Sequence, residues 1–109
     1  MTSTEMLNTY ETLSEITGNM LIAAREGEWD AVASLEARCR DRINTLMQAT
    51  TIPLSASEQR AKVAVIRTIL KHDAEIRSLA EPRLHDLQQR LSQNRAGQYG
   101  MKAYGAQRL

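Results

Sequence analysis

Apolar side chains recur at steps of three and four residues through most of the chain, and this spacing constrains its fold more than any other feature. One row covers residues 4–26, a second starts at Trp29 and ends near residue 49, and a third starts at Val63. Because a row of this period follows one face of an α-helix, each predicts a helix packed against neighbours, the first about 34 Å long. The rows are Met6, Tyr10, Leu13, Thr17, Met20 and Ala24; Trp29, Val32, Leu35, Cys39, Ile43 and Leu46; and Val63, Ile66, Leu70, Asp73, Ile76 and Ala80.

The composition agrees with an all-α fold. The 109 residues include no Phe, one Trp and three Tyr, whereas sheets favour aromatic and β-branched residues. Ala, Leu, Arg, Glu and Gln, all strong helix formers, dominate instead. A chain of this length forms one small domain.

Two short segments carry turn signals between the rows. Gly27 suits the left-handed turn that ends a helix, and Asp30 suits the first turn of the next one. Ser55 and Glu58 have the spacing of a capping box at the start of the third helix. Because the first connection is so short, the second helix must run antiparallel to the first.

Pro82 falls inside the third row, yet the spacing of apolar residues continues beyond it through Leu84, Leu87 and Leu91. Proline lacks an N–H, so we expect a hinge here, either a kinked helix or a new helix with Pro82 in its first turn. The predicted fold is an antiparallel bundle of three long helices plus a C-terminal fourth helical segment after Pro82. Residues 1–92 form the bundle domain and residues 93–109 a flexible C-terminal tail.

Charge is distributed unevenly although the formal net charge is only +1. Residues 1–36 carry seven acidic residues against Arg25 alone, whereas residues 83–109 carry five basic residues against Asp86. This favours the end of the chain lying back on its beginning, unless the two faces are separately solvated. The small net charge gives no general attraction to nucleic acid or acidic membrane.

The sequence also bears on the compartment. The longest apolar run, residues 20–24, is far shorter than the roughly 20 residues of a membrane span. The first twenty residues contain three Glu and no Lys or Arg, unlike a signal peptide. A single cysteine, Cys39, fits a reducing compartment. We therefore expect a cytoplasmic protein without a membrane partner.

No catalytic, cofactor or metal constellation is evident. Cys39, His72 and His85 are scattered singly, whereas zinc needs three or four such ligands with paired spacing. Neither histidine has a glutamate three residues before it, which excludes the di-iron bundle motif. The remaining enzymatic alternative is a phosphotransfer domain that uses His72.

Asp73 occupies a position of the third row at which the spacing predicts an apolar side chain. A buried carboxylate must find a partner or reach water, and Arg77 lies one turn further along the helix. Asp73 is either paired with Arg77 at the rim of the bundle or contacts a binding partner or fixes helix register.

Four stretches together resemble the FliT family of flagellar export chaperones, over nearly the whole chain. They are Arg25-Glu26-Gly27-Glu28-Trp29-Asp30, Ile69-Leu70 with Asp73 and Ile76, Arg83-Leu84-His85-Asp86-Leu87, and Ala103-Tyr104-Gly105. The resemblance implies a cytoplasmic chaperone that binds the filament-cap protein FliD and escorts it to the type III export apparatus. It also implies contact with the export ATPase complex and, as an alternative function, inhibition of the flagellar master transcription activator through the same surface.

In the family the last helix restrains the access of partners and so acts as a lid. Here the segment after Pro82 has only a few apolar anchors, so it could detach from the bundle and act in this way. We expect a hydrophobic groove that accepts a partner helix with anchors at i, i+3 or i+4, and i+7. The alternative is that the residues expected to line the groove are ordinary core residues, and we favour this alternative for Ile76 and Leu79. The sequence does not decide between a monomer and a homodimer. The expected partner-binding residues are Val65, Ile69, Asp73, Ile76 and Leu79; the lid residues are Leu84, Leu87, Leu91 and Tyr104; and the hinge is Pro82.

Overall fold

A computed structural model describes residues 1–49 and 51–97, with side chains through residue 93. It contains three α-helices: α1, Ser3–Arg25; α2, Trp29–Gln48; and α3, Ala56–Gly97. No strand occurs among the described residues. The predicted all-α class and the three long helices are therefore confirmed.

Local sequence signals fix where α1 begins and how it turns into α2. The Thr2 hydroxyl accepts a hydrogen bond from the Glu5 N–H at 3.1 Å, and the Glu5 carboxylate accepts one from the Thr2 N–H at 2.7 Å. After α1, Gly27 adopts a left-handed φ of 75°. The N–H of Gly27 donates to Ala24 and that of Glu28 to Ala23, the pattern of a Schellman turn. The predicted hairpin turn is confirmed.

The capping box predicted for α3 is also present. The Glu58 N–H donates to the Ser55 hydroxyl at 3.1 Å, and the Ser55 N–H donates to the Glu58 carboxylate at 2.8 Å. Two of the N–H groups at the start of the helix are thereby satisfied. Ser55 and Glu58 thus set the residue at which α3 begins.

The first of two compact units comprises Met1–Arg77, and its core is centred on α1. Most buried apolar residues belong to α1, while α2 contributes Cys39 and α3 contributes Ile76. The row predicted for α1 lies against this core as expected. The core cluster is Leu13, Ile16, Met20, Leu21, Ala24, Cys39 and Ile76, with Tyr10, Trp29, Val32, Leu35, Leu46 and Ile69 packed against it.

Contacts between α1 and the first unit's part of α3 show that these two helices run in the same direction. The Lys62 ammonium lies 5.8 Å from the centre of the Tyr10 ring. Near the other end of α1, the guanidinium of Arg25 lies 2.8 Å from the Glu75 carboxylate. Since residue numbers rise together along both helices, α1 and α3 are parallel and α2 is antiparallel to both.

The second unit begins at Ser78. Pro82 lies inside α3, and its missing N–H leaves the carbonyl of Ser78, four residues earlier, without the usual helical partner. The unit boundary therefore coincides with the bond that proline removes. A separately docked fourth segment and a domain boundary at residue 92 stay predictions. Within the described ranges, no helix is long and apolar enough to span a bilayer.

Candidate functional site

An apolar groove runs between α2 and α3 of the first unit, with α1 as its floor. Two adjoining depressions form it, and they share Leu13, Ile43, Ile69 and Leu70. The first has a cavity volume of about 380 Å³. We call the whole feature the α2–α3 groove; its other lining residues are Tyr10, Thr17, Met20, Glu36, Cys39, Arg40, Leu46, Met47, Ile66 and Asp73.

Large apolar side chains on the groove walls are open to solvent. Met47 is 77% exposed, Leu70 is 59% exposed and Ile43 is 44% exposed. Scattered exposed apolar residues are normal on a protein surface, but these three line one depression and form a patch typical of interaction sites. The groove is therefore the strongest candidate binding surface among the described residues.

Charged residues lie at the hairpin end of the groove. On α2, the Arg40 guanidinium lies 2.9 Å from the Glu36 carboxylate. On α3, Arg77 pairs with Asp73 at 3.2 Å, which confirms the partner predicted for Asp73. All four side chains are at least half exposed, so the pairs contribute little to stability. Glu36, Arg40 and Asp73 all line the groove.

The single cysteine, Cys39 on α2, also lines the groove at this end. The Cys39 thiol donates a weak hydrogen bond to the Met20 sulfur at 3.7 Å. Burial raises the pKa of the Cys39 thiol, and the negative charge of Glu36 raises it further. The positive charge of Arg38 opposes this rise, and Asp73 adds the smallest contribution. Glu36 and Asp73, on opposite walls, line the same depression as Cys39.

His72 contributes to helix packing. Its Nδ1 lies 2.9 Å from the Thr17 hydroxyl oxygen, which also lies 3.1 Å from the Ser14 carbonyl oxygen. If the single hydroxyl hydrogen is donated to Ser14, His72 Nδ1–H must donate to Thr17. The half-buried imidazole is engaged with α1 and differs from the exposed imidazole that the phosphotransfer alternative needs.

The expected partner-binding residues fall into different environments. Ile69 and Asp73 line the groove. Ile76 is buried in the core, with 7% exposure, as we favoured from sequence. Val65 is half-buried, and its side chain does not line either depression of the groove. Leu79, for which we also favoured a core position, is instead 38% exposed and belongs to the second unit.

Three of the expected lid residues lie in the described part of the second unit. Leu84, Leu87 and Leu91 are 55%, 38% and 49% exposed, respectively. Asp86 and Arg90 form a surface ion pair at 2.9 Å on the same helix. Pro82 lies inside α3, and Tyr104 lies outside the described residues. The roles assigned to these residues stay predictions.

Several groove residues were not assigned to the site from the sequence. The sequence rows place Ile43 and Leu70 in the core, Met47 belongs to no row, and the predicted site does not include the Glu36–Arg40 pair. An acid and a base four residues apart on a helix are a recognisable signal for the last of these. The residues described by the structure hold no cluster of His, Cys, Asp and Glu that could bind a metal ion.

A comparison with known protein families gives a match that covers most of the chain. The profile of the family described as "Flagellar protein FliT" matches residues 7–106. The matched range contains every residue that lines the groove.

Proposed function

The chain belongs to the FliT family of flagellar chaperones, and on this premise we propose that it binds the filament-cap protein FliD in the α2–α3 groove. In this proposal the chain acts in the cytoplasm and delivers FliD to the export apparatus, including its ATPase complex. The partner is held without any chemical reaction. The exposed apolar walls of the groove are the observation that carries the proposal.

The groove suits an amphipathic helix. Its walls carry Ile43 and Met47 on α2 and Ile66 and Leu70 on α3, each pair one helical turn apart. A bound helix with apolar side chains at i, i+3 or i+4, and i+7 would place them between these walls. An exported subunit that polymerises must keep its apolar helix face covered until it is secreted. A groove on a chaperone provides this cover.

Binding of FliD can be measured by calorimetry with a peptide from its C-terminal end. We expect one peptide per chain, and Leu70→Glu should weaken binding at least about tenfold because a charge then replaces a central apolar wall residue. Ile22→Glu is the matched control, since Ile22 is also 53% exposed but does not line the groove. Equal binding by both variants would exclude the groove as the site.

We further propose that the segment after Pro82 acts as a lid that competes with FliD for the groove. Its row of exposed leucines could occupy the same apolar surface as a partner helix, and this would keep the empty chaperone soluble. A chain that ends at Ala80 should then bind the FliD peptide as tightly as the full chain or more tightly. Weaker binding would contradict the lid but leave the chaperone function intact.

A further inference from the structure

The two ends of the α2–α3 groove differ in chemistry. At one end, Met47 and Ile66 form purely apolar walls. At the other end, Glu36 on α2 and Asp73 on α3 bring carboxylates to both walls above Cys39. Arg40 is the basic residue among those that line this end. The groove is therefore polarised along its length.

The carboxylates retain capacity for a further cation. Each carboxylate offers about four acceptor sites, and the contacts with Arg40 and Arg77 are single N–O contacts within one helix. Both arginine side chains are more than 60% exposed, so water can replace them at little cost. A cation entering from the groove would meet two acids from opposite helices.

We propose that Glu36 and Asp73 bind an arginine or lysine on the helix of the exported partner and thereby set the direction and register of that helix. The inference rests on the proposed function, because the occupant is the segment whose apolar row fills the rest of the groove. Met47 and Glu36 are about 16 Å apart along α2 at 1.5 Å per residue. The cation should therefore lie about eleven residues from the apolar anchor at the Met47 end.

A charged end gives specificity that apolar walls lack. A helix held only by Ile43, Met47 and Leu70 could shift by one turn or reverse and still bury apolar surface. If the partner helix carries a cation at one end, a shift or a reversal would bury that cation in the groove without the carboxylates beside it. Burying an unpaired charge is unfavourable. The carboxylates thus discriminate between segments of equal hydrophobicity.

The test measures binding of full-length FliD to the full chain by calorimetry at two salt concentrations. The Glu36→Gln/Asp73→Asn double variant should bind about tenfold more weakly than the original chain at low salt, and its affinity should depend less on salt. Asp41→Asn is the matched control, since Asp41 is an exposed carboxylate on α2 outside the groove lining. Thermal unfolding verifies that the variants fold.

Arg77→Gln separates cation binding from a structural role of the ion pair. It removes the competitor for Asp73, so FliD should bind as tightly as before or up to about threefold more tightly. Weaker binding by Arg77→Gln would mean that the pair acts by holding the helix, which overturns the inference.

The outcomes also distinguish the inference from the proposed function. If the original chain binds FliD and the double variant binds equally well, the inference is wrong and the chaperone function stands. If the original chain does not bind FliD, both are wrong. Neutralising the matching arginine or lysine of FliD should weaken binding to the original chain and leave binding to the double variant unchanged.

Discussion

His72 shows how a single side chain sets the distance between two helices. Its imidazole is bonded to Thr17 on α1, and its ring lies directly against Gly18. A Cβ at residue 18 would stand 3.4 Å from His72 Cε1 and 3.9 Å from Nδ1. Glycine in a helix is unfavourable, and here it leaves space beside the imidazole that a methyl group would fill but a longer side chain would not fit.

Substitutions of Gly18 should therefore have opposite effects depending on size. Gly18→Ala places its methyl group in ordinary contact and should raise the free energy of unfolding by about 0.5–1 kcal/mol through helix propensity. Gly18→Leu should lower it by about 1–3 kcal/mol because the longer side chain overlaps the imidazole. Urea unfolding measures both.

The neighbouring Asn19 provides the control for these two variants. It is exposed on α1, so Asn19→Leu should leave stability unchanged or slightly increased. A Gly18→Leu variant as stable as Asn19→Leu would mean that His72 does not limit the spacing of the helices.

At the scale of the helices, the start of α3 depends on an ionised carboxylate. Hydrogen bonds from the Ser55 backbone and then from the Ser3 side chain lower the pKa of Glu58 below its ordinary value of 4.5. A carboxylate whose pKa is lower in the folded state adds stability above its unfolded pKa. This contribution is lost as the pH falls through the folded pKa, below 4.5.

We therefore expect Glu58→Gln to reduce the acid sensitivity of the protein. Between about pH 6 and pH 3 the melting temperature of the original chain should fall further than that of the variant, because the glutamine amide does not take up a proton in this range. Circular dichroism at a series of pH values measures this. Glu11→Gln, at an exposed position of α1 outside any cap, should keep the acid sensitivity of the original chain; equal curves for all three chains would refute the prediction.

The start of α3, the turn between α1 and α2 and one ion pair within α3 could be read from the sequence, because each depends on residues close together in the chain. The predicted capping box forms between Ser55 and Glu58, and Gly27 has the predicted left-handed φ. The predicted ion pair forms between Asp73 and Arg77. The groove could not be read in the same way. Leu70 and Ile43 have the periodicity of core residues yet are 59% and 44% exposed.

The reason is that periodicity identifies the apolar face of a helix but not whether another helix covers it. Lys62, His72 and Glu75 of α3 make polar contacts with α1. Leu70 lies on the groove side of the same helix. Which faces meet depends on segments some fifty residues apart, such as Thr17 and His72. A single sequence does not contain this pairing.

At the scale of the whole molecule, the first unit is stabilised by a core shared among three helices, whereas the described part of the second unit consists of one helix. In the first unit, Leu13, Ile16 and Ala24 are each no more than 4% exposed. In the second, the apolar residues Leu84, Leu87 and Leu91 are all more than a third exposed. A segment that buries so little apolar surface should open at a lower free energy than the rest.

Hydrogen exchange of the full chain without FliD tests this difference and with it the lid. Amides of residues 84–91 should exchange at least about tenfold faster than those in the middle of α1, because a segment that buries so little apolar surface can open without unfolding the first unit. The helix there also lacks the bond from the absent Pro82 N–H to the Ser78 carbonyl, which makes opening at this point easier. If the amides of residues 84–91 were as strongly protected as those of the α1–α2 hairpin, this segment would be an integral part of the bundle and the lid would be contradicted. A partner would then have to bind a groove that this segment never covers.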